Sequence, residues 1–225
     1  MASKRKQPDH RGGVVVIGLG RFGARVAQSL EHIGHEVLAI DEDQAVVQRW
    51  SEHLTYVVQA DATDNTSLRQ LGVPELGRVV VGMGSNVEAS VLTVLALAEI
   101  GVEDIWARAS SEKHAKILSA VGAQHVIYPE AIMGERVAHL ITSRMLDFIE
   151  FEDDFAMAKT RVPEEFAGCT LAESGLRNKY GITVVGVKRP GEPFEFGSHE
   201  TFITRDAVLI VAGNTDQVRR FAATT

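Results

Sequence analysis

The sequence predicts an α/β protein: a Rossmann-type, doubly wound parallel sheet, a crossover helix and a small C-terminal α+β lobe. Short apolar runs alternate with helical patterns from residue 14 to residue 130, as expected of repeated βαβ units. The first run leads directly into a glycine-rich turn, GLGRFG, at residues 18–23. Beyond the acidic stretch EFEDD at residues 150–154 the pattern changes to short strands and helices, which indicates a second unit.

The first unit is expected to contain six strands joined by helices. The strands are expected at residues 14–17, 36–40, 54–58, 78–83, 103–109 and 124–128, and later helices at 43–52, 65–71, 87–100 and 112–120. The first helix carries Phe22, Val26, Leu30 and Ile33 at helical spacing, and Gly34 follows where a C-terminal cap belongs. Ligands of such a sheet bind at the carboxyl ends of the strands, where the strand order reverses.

A long helix, residues 132–148, is predicted to link the two units. Its apolar residues cover most of its circumference, so we expect it to be buried on several sides, in part by a second copy of the chain. The second unit reads as strands at 155–162, 181–188, 194–203 and 207–212 and helices at 170–179 and 214–222. The predicted divisions are a flexible basic tail at 1–12, the first unit at 13–149 and the second at 150–225.

Composition limits the classes of function. The formal charge of −7 argues against a nucleic-acid partner, because phosphate neutralisation needs a basic surface. The single cysteine, Cys169, excludes a disulfide framework within the chain and fits a reducing compartment. The longest apolar run, residues 89–98, is about half the length that crosses a bilayer. A cytoplasmic location is therefore expected, and docking onto a membrane protein stays open.

The glycine turn predicts a phosphate site. Gly18 allows a tight turn, Gly20 lets the backbone approach a pyrophosphate, and Gly23 lets the helix pack against the sheet. Phosphate then lies at the helix N-terminus. Asp41 ends the second strand, where an acid can accept hydrogen bonds from a ribose, and the acids that follow it disfavour the 2′-phosphate of NADP.

Charged residues at other strand ends point to the same cleft. Arg21 suits a ligand such as ADP or ATP, although it could instead pair with an acid on a neighbouring loop. Gly84 permits close approach of the backbone. Arg108 is either a phosphate contact or part of a surface ion pair. Glu130 would repel phosphate unless a cation such as Mg²⁺ or Ca²⁺ lies between them.

The third strand ends near the expected place of an adenine ring. Asp61 and Thr63 are candidates for contact with it, and a turn with a helix cap explains them nearly as well. Motifs of catalysis are absent: the histidines form no HExxH pair, and the sequence contains no GxSxG or P-loop. We therefore expect a binding protein and not an enzyme, with a small NAD-dependent oxidoreductase as the alternative from another class.

These motifs resemble the regulator-of-potassium-conductance (RCK) family, the TrkA-N plus TrkA-C subunits of Trk and Ktr potassium uptake systems. The resemblance rests on GLGRFG, the strand end at Asp41, QADAT, GVEDIWARA, SEKHAKIL and GAQHVIYPE, and it covers residues 13–222. It implies a Rossmann lobe, a crossover helix that mediates dimerisation, and a cytosolic ring of dimers, a tetramer or octamer. Such a ring lies beneath a membrane-embedded potassium transporter or channel subunit at the inner face of the cell membrane.

The resemblance also implies residue roles. Arg21 contacts the terminal phosphates of ATP or ADP, Asp41 holds the ribose of these ligands or of NAD(H), and Glu130 approaches the γ-phosphate and a divalent cation. The candidate cofactor-binding residues are Gly18, Gly20, Arg21, Phe22, Gly23, Asp41, Asp61, Ala62, Thr63, Gly84, Arg108 and Glu130.

A second ligand is implied for the C-terminal lobe, because some family members bind cyclic di-AMP there. The segment LAESGLRNKYGITVVGVKR resembles that lobe, and Thr183 stands where binding members often carry asparagine. The candidate contacts are Leu171, Arg177, Ile182, Thr183 and Val184. An ordinary hydrophobic core with an exposed arginine explains the same residues equally well. The function expected overall is a nucleotide-sensing gating subunit, with coupling to a cation/proton antiporter as the nearer alternative.

Overall fold

The computed structural model describes residues 12–142, 145–151 and 153–223. The predicted basic tail lies outside the described residues apart from Gly12. The chain divides into two compact units, with the division between Glu130 and Ala131. The boundary expected between residues 149 and 150 falls instead inside a β-strand of the second unit.

The first unit is built on a parallel sheet of six strands in the order β3-β2-β1-β4-β5-β6, and the predicted fold class is confirmed. The strands are β1 Val14–Ile17, β2 Val37–Asp41, β3 Tyr56–Gln59, β4 Arg78–Val81, β5 Asp104–Arg108 and β6 His125–Ile127. Strand order reverses between β1 and β4. Strand β1 pairs with β2 on one side and with β4 on the other, in both cases from Val14 onward. The crevice at this reversal is where a doubly wound sheet binds ligands.

Helices cover both faces of this sheet. They are α1 Arg21–His32, α2 Gln44–Trp50, α3 Asn65–Gln70, α4 Val73–Leu76, α5 Val87–Glu99 and α6 Glu112–Ala120. Helix α7, Pro129–Thr142, follows β6 and belongs to the second unit from Ala131 onward. The pattern did not predict α4, a single turn between Gly72 and Gly77, whose φ angles are 71° and 74°. Strand β1 is buried on both faces, since Val15 packs in one apolar cluster and Val16 in the other. A strand buried on both faces reads as a continuous apolar run, as VVVI does.

The predicted long helix is wrong at its C-terminal end. Helix α7 ends at Thr142, and Met145–Phe151 forms strand β7, which pairs with β8, Phe155–Arg161. A short apolar run such as MLDFIEF fits a helix or a strand, and here pairing with β8 decided the outcome. On α7, Ile132 and Ile141 are exposed by 60% and 77% within one chain. The expected cover by a second copy stays a prediction.

The second unit contains an antiparallel sheet of five strands in the order β11-β10-β13-β8-β7. The remaining elements are β9 Cys169–Thr170, α8 Leu171–Ser174, α9 Leu176–Tyr180, β10 Thr183–Lys188, β11 Phe194–Phe196, β12 Phe202–Ile203, β13 Val208–Asn214 and α10 Thr215–Ala223. The helix predicted at 170–179 is broken at Gly175, whose φ is 60°. The strand predicted at 194–203 is two strands, of which β12 pairs with β9.

The second unit has its own core. Ile182, Leu209, Val211 and Phe221 are fully buried together there. In the described residues, no helix combines the length and the apolar composition that crossing a membrane requires.

Candidate functional site

A cleft of about 810 Å³ opens at the carboxyl ends of β1, β2, β4 and β5, where the strand order reverses. Its volume lies within the usual range of small-molecule sites. All the predicted cofactor-binding residues except Gly23 line it. The others in its wall are Ile17, Glu42, Ala60, Gly82, Met83, Ser85, Asn86, Ala89 and Thr93.

Gly23 shapes the cleft from behind. A Cβ atom built on Gly23 would lie 1.9 Å from the carbonyl oxygen of Gly18, so helix α1 packs against the turn more closely than any side chain permits. Gly18 itself has a φ of +86°, a conformation that favours glycine. Gly82, at the end of β4, meets the same backbone, because its built Cβ would lie 2.9 Å from the Gly18 oxygen. The three glycines bring β1, β4 and α1 together beneath the cleft.

The amino end of α1 opens into the cleft without a side-chain cap. Its N-cap residue is Gly20, and no acidic residue lies in the first turn. The first intrahelical bond runs from the Ala24 N–H to the Gly20 carbonyl, so the N–H groups before Ala24 have no acceptor within the helix. Unpaired N–H groups and the positive end of the helix dipole together favour an anion here.

Asp41 ties the glycine turn to the end of β2. Its Oδ2 accepts a hydrogen bond from the Leu19 N–H at 2.6 Å, and its Oδ1 accepts one from the Asp43 N–H at 3.0 Å. A carboxylate oxygen has capacity for more than one hydrogen bond, so hydroxyl donors can still be accepted. The side chain of Asp43, in contrast, caps α2 by accepting a hydrogen bond from the Ala45 N–H.

Asp61 and Thr63 form a closed turn. Asp61 Oδ1 accepts from both the backbone N–H and the hydroxyl of Thr63, at 2.9 and 2.7 Å. Asp64 caps α3, and hydrogen bonds led by the Ser67 hydroxyl lower the pKa of Asp64. The turn and cap considered as an alternative therefore exist, and the turn also lines the cleft.

Arg108 and Glu130 form an ion pair through Nη2 and Oε1. The Arg108 guanidinium lies over Gly84, where a built Cβ would be 2.5 Å from Nη1. The space that Gly84 leaves is thus taken by an arginine. The hydrogen bond from Arg108 is the largest cause of the lowered pKa of Glu130, and the charge of Arg21 lowers that pKa further.

Sequence reasoning missed part of the wall. The fully buried Thr93 has a hydroxyl with no hydrogen-bond partner among the described residues. A polar residue inside an otherwise apolar helix was the available indication. Asn86, another residue of the wall, caps α5 by accepting from the Ala89 N–H at 3.1 Å.

The residues predicted for a second ligand lie in the C-terminal lobe. Arg177 and Thr183 are exposed, Leu171 and Val184 are half-buried, and Ile182 is fully buried in the core. Among the described residues, no group of three or more histidines, cysteines and acids could hold a metal ion.

Replacing Gly84 by alanine should displace Arg108 from Glu130. The clash is with the far end of a flexible side chain, so we expect a change in the free energy of unfolding below about 1 kcal/mol. The pKa of Glu130 should then rise toward its ordinary value of 4.5, because its main lowering contact is lost. Stability associated with Glu130 is present above its unfolded pKa and lost as the pH falls through the lowered folded pKa; the variant should lack this dependence.

Carboxyl ¹³C NMR titration measures the shift in the pKa of Glu130. Gly20→Ala, whose Cβ meets nothing within 4 Å, is the control, and an unchanged Glu130 pKa in Gly84→Ala would contradict the assignment.

The parallel sheet, the glycine turn and the cleft at the strand reversal together define the first unit as a Rossmann-type domain with a candidate ligand cleft. Residues 14–129 match the TrkA-N domain family and residues 159–224 the TrkA-C domain family. The chain belongs to the TrkA-N/TrkA-C family, and the predicted resemblance is confirmed.

Relatives align over nearly the whole chain. Ktr system potassium uptake protein C of Bacillus subtilis is 36% identical over 207 residues, which are 92% of this chain and 94% of the relative. Ktr system potassium uptake protein A of Vibrio alginolyticus is 32% identical over 204 residues, 90% and 93% of the two chains.

Solved structures share the fold. The GsuK RCK domain superposes with a TM-score of 0.66 at 21% identity, covering 96% of this chain, which spans about half (48%) of that chain. A structure of GsuK bound to ADP covers 58% of this chain and 34% of its own, at 26% identity and a TM-score of 0.51.

Proposed function

We propose that the protein is a cytosolic regulatory subunit of a potassium uptake system, that it senses a nucleotide, and that it is not an enzyme. The Ktr relatives, which align along nearly their full length, support the assignment to potassium uptake. Its partner is a membrane-embedded potassium transporter or channel subunit, and the protein docks at the inner face of the cell membrane. The alternative partner is a cation/proton antiporter.

The ligand is ATP or ADP, or NAD(H), bound in the cleft of the first unit. One observation carries this proposal: the uncapped amino end of α1 and the cations Arg21 and Arg108 line the same cleft as Asp41. Cations and free N–H groups suit phosphates, and a carboxylate suits the hydroxyls of a ribose. The ADP-bound GsuK structure supports an adenine nucleotide.

Glu130 would hold Mg²⁺ or Ca²⁺ together with the phosphates. The fit is adequate, because Mg²⁺ commonly binds through one or two carboxylates plus substrate phosphates. Glu130 lines the cleft and its side chain is 65% exposed, so its carboxylate is accessible. The ion would neutralise charge between the carboxylate and the phosphates.

Regulation follows from differential binding. Homodimers assemble into a tetrameric or octameric ring, and a ligand shifts the ring between two shapes only by its difference in affinity for them. Arg21 and Glu130 are the residues proposed to discriminate ATP from ADP, since they would meet the γ-phosphate. The exposed apolar side chains on α7, Ile132, Met133, Val137 and Ile141, are consistent with assembly through this helix.

Cyclic di-AMP is proposed as a second ligand of the C-terminal lobe. The exposed Arg177 is available to a phosphate, and the half-buried Leu171 and Val184 could contact a base.

A thermal-shift screen of the purified chain tests the proposal. ATP, ADP, NAD, NADH and cyclic di-AMP are each added with and without Mg²⁺, and binding raises the midpoint by mass action. Stabilisation by adenine nucleotides is the expected result. No shift with any nucleotide contradicts the sensor, and turnover of NADH with a metabolite would instead identify an oxidoreductase.

Arg21→Ala should weaken ATP more than NAD. The loss of a hydrogen bond to a charged group costs roughly 1.5 to 3 kcal/mol. Calorimetry with both ligands measures the difference. Arg25→Ala, on the same helix but outside the cleft wall, is the control. Equal weakening of ATP and NAD would show that Arg21 does not distinguish the additional phosphate.

A further inference from the structure

Glu130 is paired with Arg108, a cation of the cleft that would otherwise be available to a phosphate. Its carboxylate accepts from Arg108 Nη2, and the second arginine of the cleft, Arg21, acts on it through its charge. A carboxylate and a phosphate are both acceptors that fit a guanidinium, so one can replace the other on the same donors. The carboxylate of Glu130 therefore stands where an anionic ligand would bind.

The two partners are held very differently. Arg108 is 20% exposed, lies over Gly84, and its buried Nε has no hydrogen-bond partner among the described residues. Glu130 is 65% exposed and has no comparable enclosure. The arginine is thus the more enclosed member of the pair, and the exposed glutamate is the member that leaves more readily.

We propose that Glu130 is an internal competitor for the anion site at Arg108, which a nucleotide phosphate must displace in order to bind. This inference rests on the proposed function, since it concerns how the same cleft admits its ligand. A terminal phosphate carries close to two negative charges, whereas each phosphate of a dinucleotide pyrophosphate carries one. The terminal phosphate of a nucleoside diphosphate or triphosphate therefore replaces Glu130 on Arg108 more readily than the pyrophosphate of NAD does.

The exchange also links the ligand to α7. Glu130 is the second residue of that helix, and its carboxylate is released when phosphate takes Arg108. The freed carboxylate is then available to a divalent cation. Without a divalent cation, the released carboxylate has no new partner and competes fully with the phosphate for Arg108. The test is therefore made without divalent cations.

The test compares wild type, Glu130→Gln and Glu88→Gln by calorimetry with ADP in the presence of EDTA. Glutamine keeps the size of residue 130 and removes the charge that competes, so Glu130→Gln should bind ADP about three- to fivefold more tightly, the range that an exposed ion pair supports. Glu88, in the first turn of α5, is exposed and lies outside the cleft wall. Its substitution controls for the change in net charge and should alter affinity by less than about twofold.

Carboxyl ¹³C NMR of the wild-type protein gives a second measurement that needs no variant. The pKa of Glu130, lowered by Arg108 in the free protein, should rise toward 4.5 when ADP saturates the cleft. Equal or weaker binding of ADP by Glu130→Gln, or an unchanged pKa on saturation, would overturn the competition while leaving nucleotide binding intact. Failure of the wild-type protein to bind any nucleotide would overturn both the competition and the proposed function.

Discussion

Gly23→Ala is expected to destabilise the first unit and to abolish nucleotide binding. The new Cβ would lie 1.9 Å from the Gly18 carbonyl oxygen and 3.1 Å from its carbon, and both are backbone atoms that cannot turn aside. Helix α1 must therefore move away from β1, although Ala24 and Ala27 of the helix are buried against the sheet. Overpacking of this kind costs about 1–3 kcal/mol, with more expected where backbone meets backbone.

Urea unfolding and ADP calorimetry measure the two effects of Gly23→Ala. The matched control is Gly20→Ala, in the same turn: its Cβ meets nothing within 4 Å, and its φ of −67° suits any residue. Gly20→Ala should keep the stability of wild type and lose affinity, because its methyl group enters the space proposed for phosphate. A Gly23→Ala variant with wild-type stability would contradict the close packing of α1 on the turn.

The sheet and the glycine turn were predictable because local sequence determines them. A β-branched run such as VVVI, followed by glycines with fixed spacing, specifies strand, turn and helix within about twenty residues. Strand β7 was not predictable on the same basis. MLDFIEF suits a helix or a strand, and only its pairing with β8, which depends on tertiary structure, distinguishes them.

The cleft likewise contains some side chains whose place the sequence predicts and others whose contacts it does not. Asp41 and Arg21 were identified by their distance from the glycines, which the fold keeps constant. The ion pair between Arg108 and Glu130 joins the end of β5 to the second residue of α7, 22 positions along the chain. Sequence reasoning weighed a surface ion pair for Arg108 without naming its partner, and it assigned the space at Gly84 to the ligand. Both outcomes depend on side-chain geometry that spacing does not encode.

Asp41→Ala should weaken every nucleotide that binds in the cleft. The aspartate is proposed to hold the ribose that ATP, ADP and NAD share, and loss of a hydrogen bond to a charged group costs about 1.5–3 kcal/mol. This corresponds to a loss of affinity of roughly 10- to 150-fold. The substitution also leaves the N–H groups of Leu19 and Asp43 without their acceptor, which loosens the glycine turn.

Two variants separate these contributions of Asp41. Asp41→Asn keeps one acceptor oxygen, so it can hold the Leu19 N–H while offering a ribose less than a carboxylate does. It should retain more stability than Asp41→Ala and still lose most of the affinity. Asp43→Ala removes the cap of α2, which costs about 0.5–2 kcal/mol of stability, and should leave affinity within about twofold. Asp41→Ala should therefore lose affinity, whereas Asp43→Ala should lose stability. Equal affinities of the two variants in calorimetry would remove Asp41 from the binding site.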